Sequence, residues 1–453
     1  MTPATSIEPM PNLLSLIPGS NWQHPKSQLQ SAWKSARIGF TIFPLVPLVG
    51  ALFILFSVGK TWQHCGREIV RYRLNWCLAL LSPWLVVVSL WGIQPGDAAL
   101  GLVNFLPFFA FFAAYSMLIQ SPVQLRQLAG MMTIPALPIV VLGLVQLLGW
   151  GGDFPIPGTP GYVWQMYPLG NPVGRMSSVF GHANPLALYL QMVSIFALGL
   201  IADLYEQHPA EIGTGKLTKF WKSPTLWWLV AILVLCSVSL ILTSSRAAWA
   251  GAVVGTLVFT IYQGWYWLVG IVSAIGTVIL SAAYAPSPLK ETLRSIVPRY
   301  FWARITDEMY PDRPLALTRV SQWKFAWQLI QARPLTGWGL QSFGPLYQEY
   351  SQYWLGYPHN LLMMLASNLG IPATLGLCAI VGWILAQSTI LLLNFPLQWR
   401  SERTIFFTYL VAFGGFIIFN ITDVTALELR LNTHAWLILA SMCGVVYRAR
   451  SIS

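Results

Sequence analysis

The chain alternates long apolar runs with short polar breaks. A membrane-crossing helix needs about 20 mainly apolar residues. Runs of that kind fall at roughly 38–58, 75–93, 98–119, 128–150, 184–202, 225–243, 247–263, 265–284, 371–393, 404–421 and 433–447. They predict an all-α polytopic membrane protein with about 11–12 transmembrane helices. Seven segments follow from the pattern: a polar N-terminal tail at 1–37, transmembrane helices at 38–150, a Gly/Pro-rich loop at 151–183, transmembrane helices at 184–284, a large loop with amphipathic helices at 285–370, transmembrane helices at 371–447, and a tail at 448–453.

Direction follows from basic residues in short loops, which stay on the cytoplasmic side. Lys60, Arg67, Arg71 and Arg73 crowd the loop before the second run. Alternation then places Arg126, Lys216, Lys219, Lys222, Arg400, Arg403, Arg448 and Arg450 inside as well. Twelve basic residues are thus cytoplasmic, against Arg175, Arg246 and Arg430 in the short outer segments. The segment 285–370 falls outside. Lys26, Lys34 and Arg37 conflict with a simple crossing by the first run, because they make both of its ends look cytoplasmic. Pro44 and Pro47 stand near its middle, and proline breaks a helix. A broken or re-entrant hairpin resolves the conflict; a single crossing with an outer N-terminus is the alternative.

Composition narrows the class. Of 453 residues, 55% are hydrophobic and only 9% charged, where soluble domains carry roughly 25% charge. The net charge of +11 sits at the edges of apolar runs, so it reads as topology and not as nucleic-acid binding. The five cysteines have no paired spacing, and the polar, Pro-rich first 30 residues carry no signal-peptide core. No His/Glu/Asp cluster has metal-ligand spacing, so neither a metal nor a cofactor is expected.

Three places carry candidate chemistry. Arg246, in Ser244-Ser245-Arg246, stands between two apolar runs with almost no loop. It either snorkels to the interface or faces a polar cavity. Gly251-xxx-Gly255 after it reads as close helix packing. Arg319, Trp323 and Trp327 share one helix face, and Pro334, Gly337 and Gly339 then end that helix. An interfacial amphipathic helix explains the tryptophans better than the arginine. His359-Asn360 stands where the outer segment re-enters the membrane, and imidazole suits proton transfer. In Phe180-Gly181-His182-Ala183-Asn184-Pro185, Asn184 reads as a helix N-cap with Pro185 at the first helical position.

These blocks resemble a known family. Ser244-Ser245-Arg246-Ala247-Ala248-Trp249 resembles the Ser-Arg-Gly/Ala-x-Trp block of the O-antigen ligase and polymerase superfamily. Arg319-x3-Trp323-x2-Ala326-x7-Pro334-x2-Gly337-x-Gly339-x3-Phe343 resembles its outer-loop block. His359-Asn360-x9-Gly370 resembles the ligase signature, although Ala373 stands where Gly or Thr is common. The resemblance covers roughly 160–450. Asp423 to Leu437, with Arg430, is most similar to a cyanobacterial branch once associated with bicarbonate uptake; that branch does not generally keep the His-Asn pair.

The resemblance implies a fold like the polytopic helical (GT-C-like) glycosyltransferases, in the inner membrane with a periplasmic active face. It implies a metal-independent ligase moving a glycan from a polyprenyl diphosphate-linked donor to a lipid or glycolipid acceptor. In that reading Arg246 and Arg319 bind the donor diphosphate, because the guanidinium fork pairs bidentately with phosphate. His359 is the general base. Asn360, Arg175, Trp323, Asp423 and Arg430 support the site or the acceptor, and Trp327, Tyr353 and Trp354 offer sugar contacts. The alternatives are a polymerase of lipid-linked repeats and a bicarbonate transport-associated protein. The sequence shows no internal repeat of the kind transporters carry.

Overall fold

The structure is a computed structural model that describes residues 24, 26–155, 163–207, 220–309 and 314–451. Lys216, Lys219 and His208 lie outside the described residues. Among those described, nine helices are long and apolar enough to cross a membrane. The protein is an all-α polytopic membrane protein, with one small β-hairpin in its loops.

The first apolar run is two helices. α1 (Gln30–Ile42) and α2 (Pro47–Arg71) are separated by a break at Phe43–Val46, and Pro47 starts α2. The two pack as a hairpin. A Cβ on Gly50 would fall 2.5 Å from the Phe43 backbone, and one on Gly39 would fall 2.9 Å from Ile54. At 1.5 Å per residue α1 is about 20 Å long, short of the roughly 30 Å hydrocarbon core. From Lys60 onward α2 turns polar.

α3 (Arg73–Leu90) follows directly. The run at 98–119 is split into α4 (Pro95–Gly101) and α5 (Leu106–Leu118). The run at 128–150 starts earlier, as α6 (Pro122–Thr133) and α7 (Ala136–Leu147). The reason is a capping box: Ser121 Oγ accepts from the Val123 amide at 3.3 Å, and the Gln124 side chain accepts from the Ser121 amide at 3.1 Å. Arg126 is therefore a helix residue and not a loop residue. It is buried against Asp203 at 2.7 Å, with Glu402 at 3.6 Å.

The Gly/Pro-rich loop carries β1 (Gly152–Pro155) paired antiparallel with β2 (Val163–Met166). α8 (Ala183–Glu206) then enters the centre of the bundle. Around it come α9 (Pro224–Leu242), α10 (Arg246–Tyr262) and α11 (Tyr266–Tyr284). α10 packs closely on α8: a Cβ on Gly251 would meet the Gln191 side chain at 2.6 Å and one on Gly255 would meet Ile195 at 2.9 Å. α11 is peripheral, with only 11% of its apolar window buried, against 89% for α8.

The large loop holds α12 (Leu289–Ile296), α13 (Arg299–Ile305), α14 (Arg319–Ala332) and α15 (Phe343–Ser351). α16 (Leu361–Leu393) starts ten residues before the predicted span and is kinked at Gly370. α17 (Arg403–Asn420) and α18 (Leu429–Arg450) complete the bundle. α18 is 94% buried in its apolar window. Lys26, Arg126, Arg403 and Arg450 lie toward one end of the bundle. The start of α8, the α9–α10 turn, the start of α16 and the α17–α18 loop meet at the other.

Candidate active site

The site is assembled by loops at that second end. At the start of α8 His182, and not Asn184, is the N-cap: its backbone is extended and its Nδ1 accepts from the Asn184 amide at 3.2 Å. Capping by His182 frees the Asn184 side chain. Its Oδ1 accepts from Arg175 Nη2 at 2.7 Å, and its Nδ2 donates to Asp423 Oδ2. Arg175 is buried, and its Nε donates to the Thr243 carbonyl at 2.7 Å, at the end of α9. Gly170, at φ +89°, makes room for this loop, because a Cβ there would overlap the Arg175 carbonyl.

Asp423 stands in the loop between α17 and α18 and is 1% exposed. The Asn420 side chain shapes that loop by accepting from the Thr425 and Ala426 amides at 3.1 and 2.9 Å. Asp423 Oδ1 accepts from the Val424 amide at 2.7 Å and faces His359 Nδ1 at 3.3 Å. Burial opposes its charge, but the His359 contact, the Val424 amide and the nearby Arg319 charge outweigh it. Together they hold the carboxyl below the ordinary range.

His359 has a left-handed backbone, φ +50°. That conformation is uncommon for a residue with a Cβ and clusters at functional sites. Two contacts hold the turn: Trp323 Nε1 donates to the Pro358 carbonyl at 2.9 Å, and the Tyr357 ring stands edge-on to His359 at 5.0 Å. Asn360 is the N-cap of α16, accepting from the Met363 amide at 3.0 Å. Trp323 and Asn360 therefore position the histidine. Trp327, Tyr353 and Trp354 are exposed on the large loop.

The glycine spacing has a backbone explanation. Pro372 lacks an N–H, which leaves the Asn368 carbonyl without its helical partner. The Gly339 amide fills that place at 2.9 Å. The Trp338 amide bonds the Ser367 carbonyl at 2.9 Å, and the Ile371 amide bonds the Pro334 carbonyl at 2.8 Å. A Cβ on Gly370 would overlap the Leu335 carbonyl, and one on Gly337 would fall 2.5 Å from Asn368. The Pro-Gly-Gly turn after α14 is thus riveted to the kink in α16, which fixes where His359 emerges.

Arg246 belongs to a second cluster. It pairs with Asp307 at 3.2 Å and donates to the Ile305 carbonyl at 3.3 Å. Arg304 also approaches Asp307, at 3.7 Å, and donates to the Ser244 carbonyl at 2.9 Å. Arg319, by contrast, acts on Asp423. The α9–α10 turn joins the two clusters, with Thr243 bound to Arg175 and Ser244 to Arg304 and Tyr300. Arg430 is buried, pairs with Glu428 at 3.1 Å and lies 4.8 Å from the Phe180 ring centroid. Asp307 and the bridging role of Asn184 were not read from the sequence. No spacing signal marks them, since Asn184 and Asp423 are 239 residues apart.

An apolar cleft of about 370 Å³ opens beside the site, between α16, α17 and α18. Leu361 and Leu362, just after Asn360, line its upper end, and Leu385 and Leu439 lie deeper. No group of three or more His, Cys, Asp or Glu that could hold a metal occurs among the described residues.

Comparison with known proteins gives one family. Residues 231–378 match the family described as O-antigen ligase. The match runs from α9 into α16 and contains Arg246, Arg319, His359 and Gly370, whereas Arg175, Asp423 and Arg430 lie outside it. A search of curated proteins found no match. The Ser-Arg, outer-loop and His-Asn blocks all lie inside the matched segment, which supports the O-antigen ligase superfamily for this chain.

Proposed function

We propose that the protein is a glycan ligase acting at the outer face of the inner membrane, with His359 as general base and Asp423 as its orienting carboxylate. The buried Asp423 against His359 carries this reading. With Nδ1 turned to Asp423, Nε2 is the nitrogen left to take a proton. The acceptor hydroxyl attacks the donor sugar's anomeric carbon as Nε2 removes its proton. A new C–O bond forms, the bond from that carbon to the diphosphate oxygen breaks, and the polyprenyl diphosphate leaves. Asp423 stabilises the imidazolium, as a carboxylate does for a histidine base. The step needs no proton on the carboxylate.

Arg319 and Arg246 are the proposed clamp for the leaving diphosphate, where stabilising developing charge speeds the step selectively. Arg246 is engaged by Asp307, but an exposed ion pair is worth about 0–1 kcal/mol. A diphosphate carrying more charge displaces it. The polyprenyl chain would lie in the apolar cleft below Leu361.

The test is a surface-glycolipid gel from a deletion strain complemented with wild type or His359→Ala. A ligase leaves lipid-linked polymer accumulated and long-chain product absent in the deletion and in the variant. Single-repeat products identify a polymerase instead, and an unchanged gel removes both.

A further inference from the structure

The opposite end of the bundle holds a second cavity, of about 750 Å³, between the α2–α3 corner, α16 and the end of α18. We propose that it binds the phosphate headgroup of an anionic membrane lipid. Three arginines line it, Arg71, Arg73 and Arg450, and no acidic side chain does. Arg71 and Arg73 are exposed and make no ion pair among the described residues. Glu68, one turn before Arg71, is taken by Lys26 at 3.1 Å.

One further feature points to an anion. No side chain caps the start of α3 at Tyr72, so the first amides of that helix meet the corner uncapped. Helix N-termini with free amides favour anions. Tyr447 forms part of the cavity wall, with its buried hydroxyl held against Cys443. Tyr72 stacks on Tyr447 with ring centroids 4.1 Å apart, which fixes the α2–α3 corner to α18.

The rest of the wall selects a lipid over a free ion. Cys77, Ala379 and Ile380 give the cavity an apolar side below the arginines. Arg450 lies 5.5 Å from the Trp383 ring centroid, an aromatic–cation pairing suited to the interface. A glycerol backbone and the first acyl carbons fit against such a wall while the phosphate meets the guanidinium groups. Basic pockets between transmembrane helices on the cytoplasmic side bind anionic headgroups in this way. Ile380 lies 21 residues beyond His359 in the sequence, roughly 30 Å along a helix. The site is therefore separate from the catalytic one and does not depend on the transferase reading.

The test is native mass spectrometry of the purified full chain in detergent, titrated with phosphatidylglycerol, phosphatidylcholine or inorganic phosphate. Phosphatidylglycerol should bind selectively. Each surface arginine is worth about 1 kcal/mol toward an anionic headgroup, or about five-fold in affinity. Arg71→Gln and Arg73→Gln should each weaken binding about five-fold, and the double variant about 25-fold. Arg448→Gln removes the same charge outside the cavity and should change binding less than two-fold. Equal binding of phosphatidylcholine, or an equal loss in Arg448→Gln, overturns the site. Full competition by inorganic phosphate overturns the lipid as its occupant.

Discussion

The two ends of the bundle each bury a carboxylate, and they treat it differently. Asp203 receives Arg126 through two bonds, at 2.7 and 2.9 Å, and the Gln207 side chain at 2.7 Å. Every partner is a protein side chain, and the arrangement is closed. Asp423 is as deeply buried, but its network runs outward: Arg175 to Asn184, Asn184 to Asp423, Asp423 to His359. It ends on a histidine whose side chain is 21% exposed and whose backbone is held at φ +50°. A closed ion pair fixes helices; an open one that ends on a partly exposed imidazole is the arrangement the proposed general base requires. The comparison also separates the two candidate arginines, since Arg246 is paired with Asp307 whereas Arg319 lends its charge to Asp423.

The comparison can be broken most sharply at His359. His359→Ala should remain folded and still bind the lipid donor, yet lose about 10²–10⁴-fold in transfer, or roughly 3–5 kcal/mol of barrier. A His359→Gln variant with normal turnover would exclude the base role. At the other end, Asp203→Asn should leave Arg126 buried with weakened compensation and cost about 3 kcal/mol of stability. Thermal unfolding in detergent reads that loss, while turnover per folded molecule should be retained. If Asp203→Asn kills turnover without lowering stability, the division of roles fails.

Asn184→Ala should come next. It removes the bridge between Arg175 and Asp423, costing about 1–3 kcal/mol, and should lower the catalytic rate more than donor affinity. His182→Ala should keep most activity, because it deletes a helix cap and not a link of the chain. Asp423 also gives a pH signature. Its folded-state value is depressed, so its contribution to stability is full above the ordinary carboxylate value of about 4. That contribution is lost as pH falls through the depressed value. The melting temperature should therefore fall in wild type as pH drops below about 4, and Asp423→Asn should remove this contribution to the fall. The smallest effect belongs to Asp307→Asn, which removes an exposed ion-pair partner worth at most about 1 kcal/mol. It should leave stability nearly unchanged and tighten donor binding if Arg246 must exchange partners.

The apolar runs were legible in the sequence because a membrane span announces itself by length and composition alone. The broken first run was legible from Pro44 and Pro47, since proline acts locally on its own helix. His359 and Arg246 stood out in the sequence as polar groups at the edges of apolar runs, and Arg319 as a charge sharing a helix face with Trp323 and Trp327. Three things were decided by tertiary structure. Arg126 is a buried ion-pair member because the fold brings Asp203, 77 residues away in the chain, against it. His182 caps α8 in place of Asn184, and this frees Asn184 to reach Asp423. The glycines at 337 and 370 let the turn after α14 approach the kink in α16 closely, and the Gly339 amide replaces the one bond lost at Pro372. The burial of Arg126, the reach of Asn184 to Asp423 and the glycine approaches depend on partners far away in the chain, whereas sequence periodicity reports only what a residue does within its own turn of helix. Only the folded chain brings a loop at 423, a helix start at 184 and a re-entry turn at 359 to within hydrogen-bonding distance.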